Sequence, residues 1–251
     1  MQKMEQIQQI KEVGYDRETS LKYTAGQDTF FNIEKVEDGA TLEMMARVNS
    51  LRNSGPINTV ADIGCGSNAG YLQLWEKSSQ ADTVIGVEPS PHMRSLLQER
   101  VVPEIKDKVI ITDGDWISTH LEANSVDLVV SRFSLHNIKD IEDGYQELSR
   151  ILKSGGYAII SLPHPDYCRK ELESKGLKAL EGTPMEVSVF GTTLHYFYHE
   201  LEAYLGEGLT RSGLELVESS SLNWGTKDEA EASIHNTLVF TVKKFKVANS
   251  Q

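Results

Sequence analysis

The chain has 251 residues, of which 39% are hydrophobic and 25% charged, and its net charge is −12. That size and balance describe a soluble, enzyme-like domain with decorations or a small cap. The acidic excess argues against nucleic acid as a partner, because phosphate neutralisation drives most of that affinity. Two cysteines, Cys65 and Cys168, form neither a disulfide framework nor a metal-ligand spacing, so no metal is expected. Cys168 reads as a surface-loop residue. The polar start of the chain and the absence of an apolar run of about 18 residues point to a cytoplasmic protein without a membrane segment.

In chain order, Met4, Ile7 and Ile10 repeat at helical spacing over residues 1–13. Leu42, Met45, Ala46, Val48 and Leu51 form a second helical stripe, over 38–53, which Asn53-Ser54-Gly55-Pro56 breaks. An alternation follows: strand 58–63, helix 68–79, strand 83–88, helix 90–101, strands 108–112 and 126–131, helix 140–152 and strand 156–162. Asp140 is placed to cap the last of these helices and Gly155 to end it. Such alternation means a parallel sheet covered by helices on both sides, an α/β doubly wound fold. Past Pro163, residues 186–190 and 194–198 read as a β-hairpin with a three-residue turn, Gly191-Thr192-Thr193. Helix 199–212, strand 214–220 and strand 235–243 complete the pattern, and the Lys243–Lys246 run reads as a solvated strand end.

The chemistry centres on Val60-Ala61-Asp62-Ile63-Gly64-Cys65-Gly66 and on Glu88, which ends the next strand. A glycine loop after one strand and a carboxylate closing the following one is how doubly wound proteins hold an adenosine. Asp62 would oppose a pyrophosphate at this loop but suits a sulfonium with an α-amino group. Gly70 stands four positions after Gly66, not the three of the dinucleotide fingerprint, and no Gly-Lys-Ser/Thr follows to cradle phosphate.

These motifs resemble those of the Rossmann-like (class I) S-adenosylmethionine-dependent methyltransferases. Thr112-Asp113-Gly114-Asp115-Trp116, Ser125–Ser131, Leu135-His136-Asn137-Ile138 and Leu148–Gly156 continue the resemblance in order, which is strong over residues 58–163. It implies a seven-stranded, mostly parallel sheet with a reversed last strand. Its domains would be an N-terminal helical lid over 1–56 and a methyltransferase domain over 57–251, with a substrate-cap insertion at about 164–198. It implies S-adenosyl-L-methionine as cofactor, with Asp62, Gly64 and Gly66 in its loop and Glu88 on the ribose hydroxyls. Asp115, in preference to Asp113, would hold the adenine amino group. Trp116 reads equally as an adenine stack or as core, and Met93 as pocket lining or core. Tyr23 would close over the methionine end, and Ser131 lies at the sheet edge where the ligand sits.

Methyl transfer from a sulfonium needs alignment and, for some acceptors, removal of a proton, but no metal and no covalent nucleophile. The segment after the fourth strand has neither Asn/Asp-Pro-Pro-Tyr/Phe, which disfavours the amino group of adenine or glutamine as acceptor, nor Pro-Cys, which disfavours C5 of cytosine. The expected acceptor is an oxygen or nitrogen of a small molecule. The alternatives are a protein- or RNA-directed methyltransferase and a non-catalytic cofactor-binding subunit. Candidate bases are His136, His195 and His199, and on a strand His195, Phe197 and His199 would share one face. His164, Asp166 and these histidines match no standard metal-ligand spacing. Trp224 and the hairpin aromatics favour a partly apolar acceptor. A monomer or a homodimer is expected.

Overall fold

The computed structural model describes residues 15–30, 39–222 and 236–245. The stripe over 1–13, Trp224 and His235 lie outside the described residues. Two helices come first, α1 (Arg17–Phe30) and α2 (Gly39–Ser54). The alternating part then runs β1 (Thr59–Ile63), α3 (Ala69–Ser79), β2 (Thr83–Val87), α4 (Pro91–Arg100), β3 (Val109–Thr112), β4 (Val126–Arg132), α5 (Ile141–Ile151) and β5 (Leu152–Pro163). After it come α6 (Pro165–Ser174), the hairpin strands β6 (Thr183–Val189) and β7 (Thr192–Tyr198), α7 (Leu201–Leu205), α8 (Glu207–Arg211), β8 (Leu214–Leu222) and β9 (Thr237–Lys244).

The seven-stranded sheet has the order β3-β2-β1-β4-β5-β9-β8, and β6-β7 pair separately. Every pairing from β3 to β5 is parallel, whereas β9 runs antiparallel to both its neighbours. The expected reversed last strand is thus present. Period-two alternation splits the core: Val60, Leu128 and Val130 face α2, α3 and α4, with Met44, Leu72, Trp75 and Leu97. Ala61, Ile63 and Val129 face α5, α7 and α8, with Tyr145, Leu148, Tyr204 and Leu209. The strand order turns around between β1 and β4, so the loops after these two strands open the crevice where such sheets take ligands.

Several local expectations need correction. Strand β5 begins at Leu152 because Leu152 already pairs with Val126, across an irregularity in the ladder before Leu128 meets Tyr157. The hairpin turn has two residues, not three: Val189 pairs with Thr192, and Phe190 (φ 52°) and Gly191 (φ 72°) make the left-handed turn. Helix 199–212 is two short helices, because Gly206 takes an extended conformation (ψ −156°) between them. Helix α6 was not foreseen; His164 caps it and Pro165 opens it, a strong start signal. Cys168 therefore lies buried on a helix and not on a surface loop, and burial pushes its thiol up to about 12. No helix among the described residues is long and apolar enough to cross a membrane.

Candidate active site

The glycine loop is shaped by what lies behind it. Its first amides, Gly64 N–H and Cys65 N–H, donate to the Val87 carbonyl at 2.8 and 3.2 Å, lashing the end of β1 to β2. A Cβ on Gly64, at φ 74°, would lie 2.3 Å from the Ser134 Cβ, so only glycine fits there. Gly66, at φ 65°, differs: a Cβ there would meet nothing within 4 Å. The loop therefore packs on one side and faces open space on the other. Asn68 caps α3 by accepting from Gly70 N–H at 3.1 Å, which leaves its buried Nδ2 without a partner among the described residues.

Two carboxylates stand at this edge, both almost wholly buried. Glu88 accepts from Gly66 N–H at 3.0 Å and from Ser90 N–H at 2.9 Å. Burial nevertheless pushes it up to about 7 against those two hydrogen bonds. Asp62 accepts from the Trp75 indole N–H at 2.7 Å, so its carboxylate is fixed toward α3. Burial pushes it also up to about 7, and the Arg132 charge opposes the shift.

Helix α1 lies across this edge. The Thr24 and Ser67 hydroxyls are 2.5 Å apart, and Ser90 Oγ donates to the Tyr15 carbonyl at 2.9 Å. Tyr23 makes edge-to-face contacts with Tyr15 (5.2 Å) and with Phe190 of the hairpin turn (5.4 Å). Gly26 makes room for that turn, since a Cβ there would lie 2.2 Å from the Phe190 Cβ. Burial raises the Tyr23 hydroxyl above its ordinary range, with Arg132 again opposing. Helix α1 and the hairpin thus meet over the glycine loop, a contact between distant segments that periodicity alone does not reveal.

Asp115 closes a tight turn: its Oδ1 accepts from Ile117 and Ser118 N–H, both at 2.9 Å. Gly114 is obligatory there, with φ 145° and a notional Cβ 2.7 Å from the Thr119 carbonyl. Asp113 is exposed, 3.5 Å from His120. Trp116 is core: its indole N–H donates to Ser134 Oγ at 2.7 Å, under the loop. Ser131 is buried in the same knot, its hydroxyl donating to the Ile63 carbonyl at 2.8 Å. Both hold the ends of β1 and β4 in place.

The three candidate bases occupy different environments. His136, on a single turn after β4, is buried edge-on against Tyr196 at 4.6 Å, and its Nδ1 has no partner among the described residues. Burial, reinforced by His199, pushes it down to about 3, so it is a neutral imidazole. His199 is buried between the Ile138 carbonyl (2.9 Å from Nε2) and the Glu181 carboxylate. Both ring nitrogens are engaged, and His199 ties the hairpin to the turn after β4. His195 is exposed on the outer face of β7, 3.7 Å from its cross-strand partner Glu186. The expected shared face of His195, Phe197 and His199 does not form: β7 ends at Tyr198, and residues 196–199 are all buried. His164, grouped with them in the sequence, is engaged in capping α6 and lies 3.1 Å from Ser221 Oγ. Among the described residues no three His, Cys, Asp or Glu side chains gather to hold a metal ion.

The motifs of the sequence do not single out Arg132. Its guanidinium lies 4.4 Å over the Tyr71 ring and 5.2 Å from that of Phe133, whose backbone is held left-handed at φ 48°. An arginine at the carboxyl end of a strand, beside the glycine loop in a doubly wound sheet, was the available signal.

Residues 61–160 match a family profile described as "Methyltransferase domain". The chain is 34% identical over 106 residues to an uncharacterised methyltransferase of a Geobacillus species, matching 41% of this chain and 46% of that protein. It is 29% identical over 161 residues to phosphoethanolamine N-methyltransferase 1 of Arabidopsis thaliana (64% and 29%). It is 25% identical over 122 residues to a demethylmenaquinone methyltransferase of Lactococcus lactis (47% and 48%). The chain spans about half the length of these curated relatives or less. Among solved structures, an S-adenosylmethionine-dependent methyltransferase from Methanosarcina mazei shares the fold: TM-score 0.62, 18% identity, 79% of this chain and 98% of that one.

Proposed function

We propose that this chain, which belongs to the Rossmann-like S-adenosylmethionine-dependent methyltransferases, moves a methyl group to an oxygen or nitrogen of a small molecule. The observation that carries the cofactor half of this reading is the pairing of Glu88 with Gly66. A buried carboxylate takes its hydrogen bonds from loop and helix-start amides, beside a glycine that opens onto free space. Ribose hydroxyls are neutral donors suited to such an acceptor, and an unpartnered Asn68 amide adds a donor to the same loop. S-adenosylmethionine, when bound, supplies a methyl already activated on a sulfonium.

The protein's part is to align and to dry the reacting ends. Asp62 offers negative charge to an α-ammonium, Glu88 accepts from the ribose, and Asp115 serves the adenine amino group. Tyr23, held by Tyr15 and Phe190, covers the loop. On the acceptor side His136 is the best-placed hydrogen-bond acceptor. Being neutral, it accepts from an acceptor O–H or N–H and orients the lone pair, and the proton released as the new bond to carbon forms passes to water, because burial holds the imidazole near 3. His199 and His195 are assigned no chemical step: one is fixed by two acceptors and the other faces solvent.

A small acceptor suits a mouth overlaid by α1 and the hairpin, and the named relatives act on phosphoethanolamine and demethylmenaquinone. A reducing, cytoplasmic setting suits two unpaired cysteines. The test is transfer of isotope-labelled methyl from S-adenosylmethionine to a panel of small amines, phenols and hydroxy compounds, with protein and RNA pools alongside. Label in a small molecule supports the reading. Label confined to protein or RNA, or no transfer by a protein that binds the cofactor, contradicts it.

A further inference from the structure

The turn between α6 and β6 lies outside the site described above. Residues 174–180 read Ser-Lys-Gly-Leu-Lys-Ala-Leu, with two lysines and no acid, in a chain of net charge −12. The backbone folds back tightly there. Gly176 is left-handed at φ 72°. Lys175 and Leu177 N–H both donate to the Leu172 carbonyl at 3.0 Å, and Gly176 N–H to that of Glu173 at 2.9 Å. Lys175 Nζ donates to the Glu186 carbonyl at 3.0 Å, and the Leu180 carbonyl accepts from Thr183 N–H at 2.9 Å. Leu172 and Ala179 join the small core of Tyr196 and Tyr198. Leu177 and Leu180 do not: they are 51% and 63% exposed, and Leu180 is the most exposed large apolar side chain among the described residues.

We propose that this turn docks the protein on an anionic lipid surface, Leu177 and Leu180 entering the interface while Lys175 and Lys178 meet the headgroups. Lys178 has no ion-pair partner among the described residues, and Lys175 is bonded to a neutral carbonyl. Glu181, the next acid along the chain, turns away to His199 and to Glu200 N–H. Two uncompensated cations therefore stand beside two exposed leucines, the combination that a boundary of acyl chains and phosphates favours. Lysine stems are long enough to keep the ammonium among headgroups while the leucines go deeper. Leu201 and the Leu216-Val217 pair lack this match, standing between Glu200 and Glu202 and between Glu215 and Glu218. The acidic remainder of the molecule is repelled by the same surface, which leaves the turn as the point of approach. A turn already fixed by its own hydrogen bonds loses little freedom on docking. Docking of this kind needs nothing from the methyl-transfer site.

The test is co-sedimentation of the full chain, at low salt, with vesicles of equal parts phosphatidylglycerol and phosphatidylcholine or of phosphatidylcholine alone. Wild type should partition onto the anionic vesicles about tenfold better than onto the neutral ones, and high salt should remove the difference. Leu177→Ser with Leu180→Ser should lower partitioning about tenfold. Lys175→Gln with Lys178→Gln should lower it about tenfold, to the level of neutral vesicles, and Lys178→Gln alone about threefold. Leu216→Ser with Val217→Ser, on the far edge of the sheet, should bind like wild type. Circular dichroism checks that each variant keeps the wild-type fold. Wild type left in the supernatant with anionic vesicles overturns the proposal, as does equal partitioning onto neutral ones. So does unchanged partitioning in the leucine variant or in Lys178→Gln. Dimers in sedimentation velocity that vanish in the leucine variant, without vesicle binding, would overturn it in favour of a second copy of the chain.

Discussion

The two sides of the mouth are built on opposite principles. On the proposed cofactor side the polar groups sit in two short segments, Gly64 to Asn68 after β1 and Glu88 to Ser90 after β2, laced to each other by amide hydrogen bonds. On the proposed acceptor side the contacts run across longer stretches of chain. His136 meets Tyr196, and His199 reaches the Ile138 carbonyl from 61 residues away. The first side holds buried carboxylates that burial drives toward neutrality, the second a buried imidazole that burial also keeps neutral. Both sides are prepared to receive polar ligand groups, but only one is locally encoded.

The contrast can be broken first at the glycines. Gly64→Ala combines a left-handed backbone with a clash against Ser134, and should cost about 3 kcal/mol of stability in urea unfolding. Gly66→Ala meets no neighbour, so its cost should stay near 1 kcal/mol while affinity for S-adenosylhomocysteine falls about tenfold. Unchanged affinity for S-adenosylhomocysteine in Gly66→Ala would mean that Gly66 does not face the ligand.

The next test separates the two buried histidines. His199→Leu removes the partner of the Ile138 carbonyl, while Glu181 stays half-exposed and bonded to Glu200 N–H, and should destabilise by about 1–3 kcal/mol. His136→Asn strands nothing at Nδ1, so its stability should change by only about 1 kcal/mol. Its turnover should fall about a hundredfold with cofactor affinity unchanged. A loss of cofactor binding in His136→Asn would place that residue on the wrong side of the mouth. Because burial holds His136 near 3, the wild-type turnover profile should show no inflection from it around pH 6.5.

The smallest expected effect is electrostatic. Glu88 and Asp62 move from ordinary values of 4.5 and 3.8 up to about 7 in the folded, ligand-free protein. A raised carboxylate stabilises fully below its unfolded value, and the contribution is lost as pH rises through the folded one. His136 works in the other sense: its folded value is depressed, so its contribution is present above about 6.5 and is lost as pH falls. Urea unfolding between pH 4 and 8 should therefore show Glu88→Gln losing less stability with rising pH than wild type. The difference should be on the order of 1–3 kcal/mol. Identical pH slopes would show that Glu88 ionises freely despite its burial.

This division also explains what could be read from the sequence. The alternating strands and helices and the glycine-loop-to-Glu88 spacing were legible because each rests on periodicity or on a motif a few residues long, whereas the reversed last strand followed only from the family resemblance. Trp116 was half legible: its neighbours marked a ligand corner, but only the fold shows its indole turned under the loop to Ser134. The roles of His195 and His199 were not legible, because solvent exposure and the Glu181 and Ile138 partners depend on how the hairpin docks. Helix α6 was marked only by Pro165 at its start and the His164 cap, since its short polar run carries few apolar residues, Cys168 and Leu172 among them, to set a helical period.

The account stands or falls on Glu88 and the loop it is bonded to. Calorimetric titration of the full chain and of Glu88→Ala with S-adenosylhomocysteine tests that claim directly. We predict micromolar binding to wild type, weakened about a hundredfold in the variant as two hydrogen bonds to a charged acceptor are lost. Unchanged affinity in Glu88→Ala, or no binding to wild type, would contradict the assignment of this edge as the cofactor site.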